Sequence, residues 1–170
     1  METNISPVII VPVLAEDCNP VPSSLGKEEC WVGVDPGSVR CGIAVADLSA
    51  TLASPLAVLE TEPRISLAAR LVTCLGWRSL RGLAVGLPLD QHGGEGKATE
   101  LARGIGDMLA DELSCKVYYV DERFTTKEMT SRRREAGRSG RQIKAEIDAW
   151  AAASILQGFL DRLGREGIPR

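Results

Sequence analysis

The chain has 170 residues, 44% of them hydrophobic and 25% charged, which is the size and make-up of one globular domain rather than of a disordered or fibrous chain. Its formal net charge of −3 excludes a global attraction to nucleic acid, so any polyanion site must come from a local basic patch or from bound cations. Five cysteines, odd in number and without a C-x-x-C pair, argue against a disulfide framework or a zinc site and fit a reducing cytosol.

Residues 1–29 carry Pro7, Pro12, Pro20 and Pro22 among acids and serines. They read as a flexible N-terminal extension, with room for one short added strand at Val8–Val11. The apolar run there has no Lys or Arg before it and is broken by Pro12, so it does not fit a targeting signal. No stretch of the chain is apolar for long enough to span a bilayer. One domain is expected over residues 30–165.

From Trp31 the pattern becomes regular. "WVGVD" is a short apolar strand ended by the turn residues "PGS", and "RCGIAVAD" returns as its hairpin partner. "TLASPLAVLE" supplies a third strand. "RISLAARLVTCLGW" places Ile65, Leu67, Ala68, Leu71, Val72 and Leu75 at helical spacing. "RGLAVGLP" is an apolar strand, and "KATELARGIGDMLADEL" is a helix weakened by two glycines. "CKVYYVDE" is a strand, and "TTKEMTSRRREAG" a helix from Thr caps to Gly137. "GRSGRQ" reads as a loop, and "KAEIDAWAAASILQGFLDRLG" as the last helix. Cys30, Cys41 and Cys115, in or beside strands, should behave as small buried hydrophobes. The order β-β-β-α-β-α-β-α-α implies a mixed sheet covered by helices, which several α/β folds share.

The sharpest chemical signal is acid where periodicity asks for apolar side chains. Asp35 ends the first regular strand, and Asp121 and Glu122 end "VYYV". Side chains alternate along a strand, so at most one of that pair faces the same side as Asp35. On the last helix, Asp148 opens a stripe otherwise made of Ala151, Ala152, Ile155 and Phe159, and "AAAS" is small enough to bring helix and sheet backbones close. Ligands gather outside the carboxyl ends of parallel strands, where these acids stand. Two unit charges ~4 Å apart repel by about 4 kcal/mol at an effective dielectric near 20, so converging carboxylates either take up protons or bind a cation. Oxygen ligands without His or Cys favour Mg²⁺ or Mn²⁺. Taken singly, each acid has a plain alternative: a turn former, a helix cap, a half-exposed edge position.

Between Ser131 and Lys144, six positive side chains (Arg132, Arg133, Arg134, Arg138, Arg141, Lys144) face one negative, Glu135. Such a run is often only a solvated helix face, but in an acidic protein it favours phosphate contact, without aromatic residues for base stacking. "GLPLDQHGGEGKATE" looks like a Walker phosphate loop and fails as one: Gln91 stands where the first Gly should be, and Ala98 follows Lys97. It reads as a mobile glycine-rich loop bordering the site. His92, the only histidine, lies in it, and a loop histidine is more often simply exposed than a proton shuttle.

"VGVDPGSVRCGIAVAD", "AVGLPLDQHGGEG", "VYYVDERFTT" and "IDAWAAASILQGFLD", in that order, resemble the YqgF family from about Trp31 to Leu163. Its members are Holliday-junction-resolvase-like proteins also described as pre-16S rRNA nucleases. The resemblance implies a ribonuclease-H-like α/β fold: a mixed five-stranded sheet with helices on both faces. It also implies nucleic-acid hydrolysis with Mg²⁺ or Mn²⁺, by two ions, at acids falling on Asp35, Glu122 and Asp148. Arg123 and Thr125 become candidates for holding the strand, and Arg132, Arg133, Arg134, Arg138 and Arg141 for gripping phosphates. The partner it implies is structured or single-stranded RNA, or branched DNA, met in the cytoplasm by a monomer or weak homodimer with no membrane. The family's usual Asn after "GLPL" is Asp90 here. Two other readings compete. The Asp-x-Gly turn also occurs in the actin and sugar-kinase group, which needs two such domains, and a non-catalytic RNA-binding ribosome-assembly factor could keep this fold.

Overall fold

The structure is a computed structural model, and it describes residues 9–10, 29–90, 92–122 and 140–166, with side chains on the last helix from Glu146 onward. Nine elements follow in chain order: β1 (Ile9–Ile10), β2 (Glu29–Pro36), β3 (Arg40–Ala46), β4 (Ala53–Glu60), α1 (Leu67–Leu75), β5 (Ser79–Leu87), α2 (Lys97–Leu113), β6 (Lys116–Asp121) and α3 (Gly140–Glu166). A short 3-10 turn, Arg64–Ser66, leads into α1. The expected helix at "TTKEMTSRRREAG" lies outside the described residues.

The strands form one sheet in the order β1-β4-β3-β2-β5-β6. β2, β3 and β4 make an antiparallel meander, and β5 and β6 continue it in parallel on the other side of β2. This five-stranded core is the mixed sheet that was expected, with helices on both faces. The two-residue β1 adds a sixth, edge strand through Ile9↔Val58 and Ile10↔Ala57, within the stretch where a short extra strand was expected.

The two faces of the sheet are built differently. On one, Val32, Val34, Ile43, Leu59, Leu83 and Val85 pack against Leu67, Leu71 and Leu75 of α1 and Ile105 and Leu109 of α2. On the other, the sheet offers Gly33, Gly42, Ala44, Ala84 and Gly86, and α3 answers with Ala149, Ala152 and Ala153. A Cβ on Gly33 would stand 2.6 Å from the Ala152 carbonyl oxygen, and one on Gly42 would run into the carbonyl oxygen of Asp148. Helix and sheet backbones are therefore in direct contact. Further along α3, Trp31, Tyr118 and Phe159 close the layer with ring centroids 4.9–5.6 Å apart. Gln157 fixes the same end: its Oε1 accepts from Ala53 N–H at 2.9 Å, and its Nε2 donates to Thr51 O at 3.0 Å.

Two expectations change. Ile65 and Val72 fall at the helical spacing expected for this segment, but they are 85% and 50% exposed. The buried stripe is Leu67, Ala68, Leu71 and Leu75, because Ile65 belongs to the 3-10 turn and Val72 faces away from that stripe. Gly140, Arg141 and Gln142, read as loop, open α3 instead. The glycines of α2 do not shorten it: Gly106 is where the Tyr119 hydroxyl approaches, and a Cβ there would stand 2.8 Å from that oxygen. Cys30 and Cys41 are buried as expected, and Cys115 partly so.

Gly42→Ala should lower stability by about 2 kcal/mol or more, because α3 must lift off β3. Gly158→Ala, on the same helix with open space around it, should raise stability by about 0.5–1 kcal/mol. Denaturant midpoints of the two variants check the contrast; equal effects would mean the contact at Gly42 is not tight.

Candidate active site: a row of carboxylates

Three of the acids singled out in the sequence fall on one face of the sheet, at the carboxyl end of its parallel strands. Along β2, Trp31, Gly33 and Asp35 alternate with Val32 and Val34, which places Asp35 on the α3 side. Its cross-strand partner on β3 is Gly42. On β5 the register ends at Val34↔Val85, one residue short of Asp35 and Gly86. Asp35 thus stands between two glycines, and each glycine makes room for another acid. The Asp148 backbone lies over Gly42, and a Cβ on Gly86 would stand 2.7 Å from Glu122 Oε1. That contact decides the Asp121–Glu122 ambiguity in favour of Glu122.

Electrostatics tie the row together. Burial pushes the Asp35 carboxyl up to about 6, with the charge of Asp148 adding to the shift. Burial pushes Glu122 up to about 7, helped by Asp35 and then Asp121. Asp35 is therefore coupled to both other acids, as a centrally placed group should be. Asp148 sits at the edge of its helical stripe, its side chain 25% exposed, with Arg40 Nε 3.8 Å from its Oδ2. Asp148 is thus partly buried, and its charge acts on Asp35.

The donor set, three carboxylates and no thiol or imidazole, fits a hard divalent cation. Among the described residues, no three His, Cys, Asp or Glu side chains are gathered closely enough to close around one ion. The row is a set of pairwise-coupled acids rather than a closed cage.

The turn after Asp35 is held from β4. Thr61 is fully buried, its Oγ1 donates to Gly37 O at 2.7 Å, and its N–H donates to Val39 O at 3.0 Å. The loop between β5 and α2 winds around Asp90, whose Oδ1 accepts from the N–H groups of His92 at 2.8 Å and Gly94 at 2.6 Å. An Asn could accept the same two bonds through its own Oδ1, so the departure from the family's residue leaves the loop's framework possible. Thr99 joins this loop to α2: its hydroxyl donates to Pro88 O and accepts from Gly96 N–H. His92 is exposed.

Arg123, Thr125, Arg132, Arg133, Arg134 and Arg138 lie outside the described residues. Arg141 is in the first turn of α3, its side chain outside them too. Sequence reasoning missed Arg40, Gly42 and Gly86. The signal for Arg40 was its place five residues after Asp35 across a tight turn, and for the glycines their interruption of apolar strands.

Residues 29–162 match the family profile described as "RuvX: Holliday junction resolvase". A protein of Anaeromyxobacter sp. (strain Fw109-5) is 39% identical over 131 residues, covering 77% of this chain and 96% of its own. One of Anaeromyxobacter dehalogenans (strain 2CP-1 / ATCC BAA-258) is 43% identical over 133 residues, covering 77% and 96%. One of Chloroflexus aurantiacus (strain ATCC 29366 / DSM 635 / J-10-fl) is 35% identical over 135 residues, covering 79% and 88%. All three carry the name "Putative pre-16S rRNA nuclease". A solved structure of Thermus thermophilus RuvC aligns with 79% of this chain and 96% of its own, at 21% identity and a TM-score of 0.48. The profile match begins at the first residue of β2 and ends near the close of α3, so it takes in every element that builds the acid row. On that extent of agreement, this chain belongs to the RuvX family, the family also called YqgF.

Proposed function

We propose that the protein is a divalent-metal-dependent nuclease that hydrolyses phosphodiester bonds in the 5′ region of pre-16S rRNA, in the cytoplasm, as a monomer or weak homodimer. The observation that carries this reading is the coupling of Asp35 to both Asp148 and Glu122, three acids from distant parts of the chain. The name shared by the curated relatives supplies the substrate. Residues 30–165 form the nuclease domain, and residues 1–29 an extension to it.

Asp35, Glu122 and Asp148 would hold Mg²⁺ or Mn²⁺, as two ions. Such ions, when bound, supply Lewis acidity and a counter-charge for in-line attack on the phosphodiester. The chain supplies the placement. Asp35, central in the row, is shared between its neighbours, while Glu122 and Asp148 serve the two ends. Glu122 Oε1, over Gly86, belongs to a carboxyl that burial and the charge of Asp35 push up to about 7. Direct contact of α3 with β3 fixes the separation of Asp148 from Asp35, and small errors of placement cost rate steeply. Arg123, Thr125, Arg132, Arg133, Arg134, Arg138 and Arg141 would hold the strand and its phosphates.

A second reading, cleavage of branched DNA, is favoured by the description of the matching family profile. The two separate in one assay of purified protein on an rRNA precursor fragment and on four-way junction DNA, with Mg²⁺ or Mn²⁺. The expected outcome is cleavage of the RNA, lost with EDTA and reduced at least a hundredfold in Asp35→Asn, Glu122→Gln and Asp148→Asn. Preference for the junction would transfer the assignment to DNA. An Asp35→Asn chain that binds RNA normally and still supports ribosome maturation would point to a non-catalytic assembly factor.

The acid row also has a stability signature. The folded carboxyls of Asp35 and Glu122 titrate above their ordinary values, near 6 and 7, so between about pH 4 and 7 the native state binds more protons than the unfolded one. Their destabilising effect is absent below that window and complete above it. In EDTA, stability should therefore fall as pH rises from 4 to 8. Asp35→Asn should recover on the order of 2 kcal/mol at pH 8 and little at pH 4. Denaturant melts across this range check the slope; a gain independent of pH would rule out carboxylate ionisation as its cause.

A further inference from the structure

Arg40 and Asp148 form an ion pair at the edge of the acid row. Arg40 opens β3, directly after the turn that follows Asp35. That turn is pinned from β4 by Thr61, so the guanidinium reaches the acid row from a fixed backbone point. Its Nε stands 3.8 Å from Asp148 Oδ2, and the two side chains are only 18% and 25% exposed. The separation is within ion-pair reach and longer than the 2.7–3.2 Å usual for a hydrogen bond.

We propose that Arg40 is a positioning residue and a resident counter-cation for Asp148: it holds that carboxylate while no divalent ion is bound, and it yields it when one enters. The inference rests on reading the row as a metal site. Three neighbouring, partly buried carboxylates need positive charge nearby. A guanidinium supplies one unit, at a distance. A divalent ion supplies two and approaches carboxylate oxygens to about 2.0–2.1 Å, so it competes for Asp148 on favourable terms. A loose pair releases more readily than a bidentate one. Once released, the guanidinium remains beside the row, and its planar fork of donors suits a phosphate oxygen.

The test uses full-length protein without nucleic acid. Native chain, Arg40→Gln and Arg40→Lys are titrated with Mn²⁺ by calorimetry. Arg40→Gln should bind Mn²⁺ about three- to tenfold more tightly than the native chain, because the competitor is gone, and Arg40→Lys should return toward the native value. In EDTA, denaturant melts of Arg40→Gln, Asp148→Asn and the double variant should show that removing Arg40 costs stability only while Asp148 keeps its charge. Mn²⁺ affinity that is unchanged or weaker in Arg40→Gln, beside measurable binding by the native chain, overturns the role assigned to Arg40 and leaves the metal reading standing. Mn²⁺ binding by neither chain, with coupling intact in EDTA, overturns the metal reading and the release step with it.

Discussion

A helix backbone resting directly on glycine is the contact on which the rest of this molecule depends. Between bulky side chains, a helix and a sheet keep a full side-chain layer between their axes, as α1 and α2 do on the Val- and Leu-rich face. On the opposite face the carbonyl oxygens of Asp148 and Ala152 lie where the Cβ atoms of Gly42 and Gly33 would have to be. Nothing larger than hydrogen fits between the layers there. The close approach brings an acid on α3 to an acid on β2, which no ordinary packing distance would allow.

The same packing works against electrostatics. Folding gathers Asp35, Glu122 and Asp148, and burial is the largest cause of the raised values at Asp35 and Glu122, with the neighbouring carboxylate next. A fold optimised for stability alone would not place like charges in a half-buried row. The cost has to be offset elsewhere, and α3 shows where. Trp31, Tyr118 and Phe159 lock its far half, and Gln157 ties it to the β3–β4 connection. The anchoring is apolar and hydrogen-bonded at one end, so the other end can carry charge. Arg40 pairs with Asp148 within the row itself.

Much of this architecture was legible from residue order, for identifiable reasons. Strands β2 to β6 and the whole of α2 could be read because apolar periodicity and Gly or Pro punctuation agree there. Asp35 and Glu122 stood out because an acid ends an apolar run, and Asp148 because it interrupts a helical stripe. What periodicity could not convey was which inward-looking residues lack a neighbour. Ile65 and Val72 fit the spacing of α1, yet only Leu67, Ala68, Leu71 and Leu75 face the sheet. Arg40 escaped notice for the opposite reason: a basic residue at a turn is commonplace until the distance to Asp148 is known. The pattern of glycines on three adjacent strands, Gly33, Gly42 and Gly86, acquires meaning only with strand order. On β2 alone Gly33 is a weak strand residue; across the sheet it is part of a floor.

Charge sets the order of events that the proposed activity requires. The chain is net negative, and its acid row gathers three of the acids behind that charge where a phosphodiester would arrive. A polyanion gains nothing by approaching such a surface until positive charge is in place. The pair that Arg40 forms with Asp148 lowers the repulsion. Divalent cations would reverse it, and in displacing Arg40 they would also turn a guanidinium from an internal partner into a free donor for phosphate. Cation entry would thus add the charge of the ion and leave the guanidinium, already beside the row, free to donate to phosphate. On this reading the metal precedes the nucleic acid, and productive affinity for substrate is conditional on an occupied site.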